Sequence, residues 1–250
     1  MNPVPNLNTQ YNYVPQFKVT KLAGNKKMVK ICNGVKPLRI LVTSGPTREP
    51  LDPVRFITNY STGAMGYAVA KTAKKRKHKV TLIAGPARLK PLKSVKTEPV
   101  ITAEEMFKAV KRGYAKSDCV IMAAAVSDFR PAHYSNNKLK RATLPLRLEL
   151  CKNPDILYWL GRRKGRRILV GFCMETEKLI PNAREKMAGK NLDIIVANRI
   201  DKEKSAFGAG KTSVIILGPG EEEKRLVNVT KEAVAGILLD KVEQLWYKKS

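Results

Sequence analysis

Apolar and polar positions along this chain fall into two recurring patterns. Strand-like runs, most of them unbroken and rich in β-branched residues, occur at 39–44, 79–84, 95–100, 118–126, 168–172 and 192–198, with a further apolar stretch at 146–150. Runs of that length are too short for a typical helix, and unbroken hydrophobicity predicts strands buried on both faces. Helical signals lie between them. Ser61 and Thr62, hydroxyl residues suited to an N-cap, precede Tyr67 to Ala73, and Thr102 with Glu105 forms a capping box ahead of Met106, Ala109 and Val110. Asn153-Pro154-Asp155 offers a cap followed by proline at the first helical position, a further helix is expected over 179–190, and Thr230 caps a long terminal helix. Runs at 212–217 and 226–229 close the sheet. Strands alternating with helices predict an α/β fold: an open, mostly parallel, doubly wound (Rossmann-like) sheet with helices on both faces. Ligands bind such sheets beyond the carboxyl ends of the strands, which selects the loops at 45–66, 85–94, 127–141, 171–178 and 197–211.

The first of these loops is long for a compact domain, rich in Pro, Gly and charge, and is the leading candidate for function. Gly63 and Gly66 remove side chains that would keep a ligand off the backbone, and the first amides of the following helix suit a phosphate or carboxylate. The alternative is that these glycines only let the helix pack tightly on the strand. Neither GxGxxG nor a Walker A pattern is present, so the generic dinucleotide and P-loop motifs are excluded. Asp128 is expected at a strand's end, where it binds base or ribose or merely caps a turn, and Phe172 is placed similarly. Residues 134–141 carry Lys138, Lys140 and Arg141 and read either as a flap that closes on a polyphosphate or as a solvated basic loop. Lys186 and Lys190, four apart, share a helix face.

Composition adds limits. A chain of 250 residues can bury one sizeable core, and residues 1–37, rich in Pro and Asn with a basic patch, read as an N-terminal extension, partly disordered or draped on the core, ahead of a domain spanning 38–250. Forty-eight Lys and Arg against 21 Asp and Glu give a net charge of +27, which attracts any polyanion. With 6% aromatics and no basic segment interleaved with rings, a dedicated single-strand binder is poorly supported and nucleic acid is not expected as a partner. Four scattered cysteines and two histidines exclude a zinc site of ordinary spacing. No signal-peptide pattern and no run of about 18 apolar residues occur, so a cytoplasmic protein without a membrane partner is expected.

Longer strings in these loops carry a resemblance. Gly45-Pro46-Thr47-Arg48-Glu49-Pro50-Leu51-Asp52-Pro53-Val54-Arg55, then Ile57 to Gly66, closely resemble phosphopantothenoylcysteine synthetase, the phosphopantothenate–cysteine ligase family of coenzyme A synthesis. Ala123 to Pro131, the Lys-x-Lys-Arg flap at 138, Lys152 to Ile156, Gly171 to Thr176 and Lys190 to Asn198 continue it in order, over roughly residues 38–247. The resemblance, to a stand-alone bacterial type, implies a ligase that joins 4′-phosphopantothenate to L-cysteine. CTP and Mg2+ are the implied cofactors, with an acyl-cytidylate intermediate and CMP and pyrophosphate as by-products. A carboxylate is a poor acylating agent until activated, and nucleotidyl transfer does this, magnesium being held mainly by the nucleotide phosphates with no protein metal ligands.

Position by position, Asn59 and Lys138 match the family's catalytic asparagine and flap lysine. Ala124, Asp128, Lys138, Pro154, Asp155, Ile156, Leu157, Phe172, Lys186 and Lys190 match nucleotide contacts, and Gly45, Thr47, Arg55, Ser61, Thr62, Gly63 and Gly66 belong to the phosphate and substrate loop. Arg141 departs from the family's lysine, keeping the charge and changing the hydrogen-bond geometry. A homodimer and a separate phosphopantothenoylcysteine decarboxylase are also implied. The alternatives are an ATP-using version of the same ligase, or a basic nucleic-acid-binding protein on a degenerate synthetase scaffold, which salt-sensitive DNA binding without ligation would reveal. A flavoprotein of the decarboxylase type would need a histidine base, and neither His78 nor His133 is well placed for one.

Overall fold

A computed structural model describes residues 36–141, 147–199, 210–220 and 222–249. The expected extension, up to residue 35, and parts of the 146–150 and 197–211 segments lie outside the described residues. In chain order the elements are β1 Arg39–Ser44, β2 Arg48–Pro50, β3 Phe56–Thr58, α1 Ala64–Lys75, β4 Lys79–Ala84, β5 Lys96–Pro99, α2 Ala103–Tyr114 and β6 Cys119–Met122. They continue as β7 Phe129–Pro131, β8 Leu150–Lys152, α3 Ile156–Gly161, β9 Ile168–Glu175, α4 Leu179–Gly189, β10 Ile194–Arg199, β11 Thr212–Leu217, β12 Glu223–Val229 and α5 Lys231–Lys248. No described helix is long and apolar enough to cross a membrane.

Eight strands form one sheet in the order β12-β11-β10-β9-β6-β1-β4-β5. Pairing is parallel from β10 to β5, and β11 and β12 are added antiparallel. The two remaining ribbons, β2–β3 and β7–β8, are antiparallel pairs. Alternate side chains of each strand feed opposite layers, as the period of two demands. Ile40 and Val42 join a core closed by Val69 and Ala73 of α1 and Val234, Leu238 and Val242 of α5. Leu41 faces the other layer, with Met106 and Val110 of α2, Leu160 of α3 and Ala183 of α4. The doubly wound architecture expected from the alternation is the one present.

Local chemistry departs from expectation at three places. The run 118–126 is not one strand: β6 ends at Met122, Ala123 to Val126 are half-buried with only Ala125 still bridged, to Pro46, and Asp128 stands on an exposed turn rather than at a strand's end. The cap of α3 is Asp155, whose carboxylate accepts the Tyr158 N–H at 2.9 Å, so Pro154 precedes the helix instead of opening it. Asn153 instead donates its amide to the Ser127 carbonyl. The cap of α1 is Gly63 at φ 74, a left-handed position, and the Thr62 hydroxyl accepts the Ala64 N–H at 3.4 Å. At α2 the Thr102 hydroxyl takes the Glu105 N–H as expected, while the Glu105 carboxylate reaches the Ile101 N–H one residue before the cap. Buried Glu49 accepts the Ala103 N–H, tying the β2 ribbon to the same helix end.

Candidate active site

Two adjoining cavities straddle the carboxyl edge of the sheet. The larger, about 330 Å³, opens toward the α1/α5 layer and is lined by Asn59, residues 61–65, residues 123–126, Phe172, Met174, Asn198, Thr212 and Lys231 among others. The smaller, about 160 Å³, opens toward the α3/α4 layer and is lined by Ser127, residues 153–157 and Lys190. Ala124, Val126, Asp128, Phe172 and Lys186 border both. Loops from the ends of β6, β9 and β10 therefore meet the first turn of α1 in one cleft with two lobes.

Of the residues singled out from the sequence, Asn59, Ser61, Thr62 and Gly63 lie on the larger lobe, Pro154, Asp155, Ile156, Leu157 and Lys190 on the smaller, and Ala124, Asp128, Phe172 and Lys186 at the junction. The Asn59 amide nitrogen lies 3.4 and 3.2 Å from the carbonyls of Ala125 and Val126, which fixes it against the wall left by the early end of β6. Lys190 forms an ion pair with Asp155 at 2.8 Å. Burial alone would raise the Asp155 carboxyl, but the Lys190 hydrogen bond, the Tyr158 N–H and the charges of Lys190 and Lys186 outweigh it and hold it below the usual carboxylate range. Burial pushes the Cys173 thiol up to about 11, against a lowering pull from Lys186.

Other singled-out residues line neither cavity and have structural partners. Gly66 presses on β1: a Cβ there would stand 2.5 Å from Ser44 Cβ and 2.8 Å from the Thr43 carbonyl oxygen. Gly45, at φ 80, lies equally close to the Gly85 backbone. For Gly66 this close approach is what the packing alternative expects, and Gly45 is held by the same kind of contact. Thr47 is buried, and its hydroxyl accepts the Ser127 N–H at 3.0 Å. Arg55 pairs with buried Asp52 at 2.7 Å and donates to the Leu139 carbonyl, while Asp52 accepts the Leu139 N–H. That clasp anchors the chain beside Lys138, whose exposed side chain reaches neither lobe in this conformation.

Asn198 lies in a loop that the sequence selects, but the rest of the far wall of the larger lobe, Thr212, Val214 and Lys231, was missed. The signal was there to use. Two antiparallel strands after β10 bring the end of β12, and so the residue after the Thr230 cap, back to the carboxyl edge.

Comparison with known proteins places these features. The family model described as the DNA/pantothenate metabolism flavoprotein C-terminal domain matches residues 35–245. The coenzyme A biosynthesis bifunctional protein CoaBC of Bacillus subtilis (strain 168) is 42% identical over 207 residues, covering 82% of this chain and 51% of the relative. The protein of the same name from Escherichia coli (strain K12) is 37% identical over 222 residues, covering 87% and 54%. The chain thus spans about half the length of the curated relatives it matches. A crystal structure of the C-terminal domain of coenzyme A biosynthesis bifunctional protein CoaBC superposes with a TM-score of 0.73 at 36% identity, covering 86% of this chain and 98% of that one.

Proposed function

The chain belongs to the family of the DNA/pantothenate metabolism flavoprotein C-terminal domain, and on that premise we propose that it is a phosphopantothenate–cysteine ligase using CTP. The observation that carries this reading is the two-lobed cleft, with Asn59 on one lobe, Asp155 and Lys190 on the other, and Asp128, Phe172 and Lys186 between. The smaller lobe takes the nucleotide. Its triphosphate runs toward Lys186, a cation at the junction of both lobes. The carboxylate of 4′-phosphopantothenate attacks the α-phosphate there, pyrophosphate leaves, and a mixed anhydride with CMP forms. The amine of cysteine then attacks the acyl carbon, CMP departs, and the amine's proton passes to solvent.

In this scheme Asn59 turns its amide from the wall carbonyls to the reacting acyl group and donates to the oxygen on which charge develops. Lys138 swings from the flap to meet the triphosphate, while the Asp52–Arg55 clasp holds the flap's root. Magnesium, if bound, would be held by the nucleotide phosphates rather than by protein side chains and would supply screening of their charge. The homodimer is proposed to form across the ribbons β2–β3 and β7–β8, where Phe56, Phe129 and Leu150 stand exposed.

The test is pyrophosphate release by the purified protein with CTP, magnesium and 4′-phosphopantothenate, with and without cysteine. Release should require the acid, turn over with cysteine, and fall by at least about a hundredfold in Asn59→Ala, the scale of losing an oxyanion donor. Lys138→Ala should also collapse the rate. ATP replacing CTP with equal efficiency would move the nucleotide assignment, and no release with either would end the ligase reading.

A further inference from the structure

We infer that Lys231, with Thr212 and Asn198 beside it on the cavity wall, forms the subsite that grips the phosphate of the acid substrate, at the end of the cleft remote from the nucleotide. This rests on the ligase reading above. The substrate has an anion at each end. Its carboxylate must reach the junction near Asn59, where the nucleotide's α-phosphate arrives from the smaller lobe, so its own phosphate has to lie farther into the larger lobe. Lys231 lines that lobe alone, whereas Lys190 lines only the nucleotide lobe and Lys186 borders both.

The lysine is built into place rather than left on a solvated face. Only 9% of Lys231 is exposed, although it is the first residue of an 18-residue helix whose apolar contacts come from Val234, Leu238 and Val242. Its ammonium donates to the Gly210 carbonyl at 3.1 Å, which holds the chain of β11's approach against it. A register shift in the β11–β12 ladder falls between Thr212 and Val214, and Asn228 across from it takes the left-handed conformation at φ 53. Bulges of this kind re-aim side chains beside functional sites. Thr212 and Val214, two apart on β11, both face the cavity beside this irregularity.

Burial lowers the Lys231 pKa against a raising pull from Glu232, and an anion bound beside it would favour the charged form. The lobe's other walls suit the rest of such a ligand. Val196, Val214, Met65 and Met174 give the lobe apolar surface alongside the lysine, fitting a branched aliphatic arm with an anion at its end.

Calorimetric titration of the full chain with 4′-phosphopantothenate and with pantothenate, which lacks the phosphate, tests this. Lys231→Met should weaken 4′-phosphopantothenate by roughly tenfold to a hundredfold, the scale of a hydrogen bond to a charged group, and leave pantothenate unchanged. Lys231→Arg should recover much of the preference, and Thr212→Val should reduce it, which keeps the question answerable if the methionine variant folds poorly. Equal weakening of both ligands would overturn the subsite and make the lysine structural. Unchanged preference in Lys231→Met would overturn it alone, leaving the ligase reading to the pyrophosphate assay. Wild-type protein that binds no 4′-phosphopantothenate removes both.

Discussion

Replacing Gly66 with alanine separates the two roles a glycine can play at the start of a helix beside a cleft. Were Gly66 there for ligand approach, Ala would raise stability by up to about 1 kcal/mol, the difference in helix propensity, and cost only activity. The geometry requires the opposite. An added Cβ meets Ser44 Cβ at 2.5 Å, Ser44 Oγ at 2.6 Å and the Thr43 carbonyl oxygen at 2.8 Å, and that carbonyl belongs to β1, held between β4 and β6. Neither partner can yield without moving a central strand. Overpacking of this type costs about 1–3 kcal/mol. The displaced Ser44 side chain would also strain its 2.7 Å hydrogen bond to the Gly63 carbonyl, worth about 1 kcal/mol. Set against the propensity gain, Gly66→Ala should lose about 1–3 kcal/mol in urea unfolding followed by circular dichroism, with an unchanged slope. A variant as stable as the parent would refute the packing account and return Gly66 to the ligand-binding set.

Three further outcomes follow from the same structure. Burial acts to raise the Asp52 carboxyl, but the N–H groups of Val54, Arg55 and Leu139 and the Arg55 charge hold it below its ordinary value. A lowered carboxylate contributes stability that is complete above its unfolded pKa and lost as pH falls through the folded one, so the urea midpoint should drop below about pH 4, and Asp52→Asn should flatten that acid limb; an identical limb would remove Asp52 from the account. Burial raises the thiol pKa of Cys119 well above the ordinary value and that of Cys173 to about 11, so neither should react with Ellman's reagent at pH 8 before unfolding, and a native count that falls in Cys173→Ser would contradict this. Phe129→Glu with Leu150→Glu should shift the sedimentation equilibrium from dimer toward monomer, and a dimer indifferent to both would place the interface elsewhere.

The fold was legible because the parallel strands are buried on both faces and read as unbroken apolar runs, as in Ile40 to Val42 and Ile194 to Val196. The same signal misled where apolar residues line a cavity. Ala123 to Val126 look like the continuation of β6, yet only Ala125 keeps a ladder partner, Pro46, and the stretch lines the cavity. Capping chemistry was readable at Thr102 and Thr230, where one hydroxyl residue stands before a helix, and misread at 153–155, where Asn153 and Asp155 compete and only tertiary contacts decide. Asn153 is drawn away by the Ser127 carbonyl and the Arg130 guanidinium, which leaves the cap to Asp155. Lys231 escaped notice for a topological reason: one more or one fewer antiparallel strand would have put it at the opposite end of the sheet.

The early end of β6 also explains where the cleft lies. Winding reverses between β1 and β6, since β4 and β5 follow on one side and β9 and β10 on the other, and an open α/β sheet usually binds its ligand in the crevice at that reversal. In this chain backbone fills the crevice. Ala125 N–H donates to the Gly45 carbonyl at 2.9 Å, and Thr47 N–H donates back to Ala125 at 3.2 Å. Gly85 approaches so closely that a Cβ would lie 1.9 Å from the Pro46 carbonyl oxygen. Ala125 pairs with Pro46 in the register that joins Met122 to Thr43, so this stretch stays tied to the 45–47 loop by one bridge beyond the end of β6. Around that bridge the carbonyls of Ala125 and Val126 meet Asn59, and the open space lies over the ends of β6, β9 and β10. The misread run and the position of the site thus have one cause: past Met122 the pairing of residues 123–126 shrinks to the single bridge at Ala125, and their backbone becomes the wall that orients Asn59.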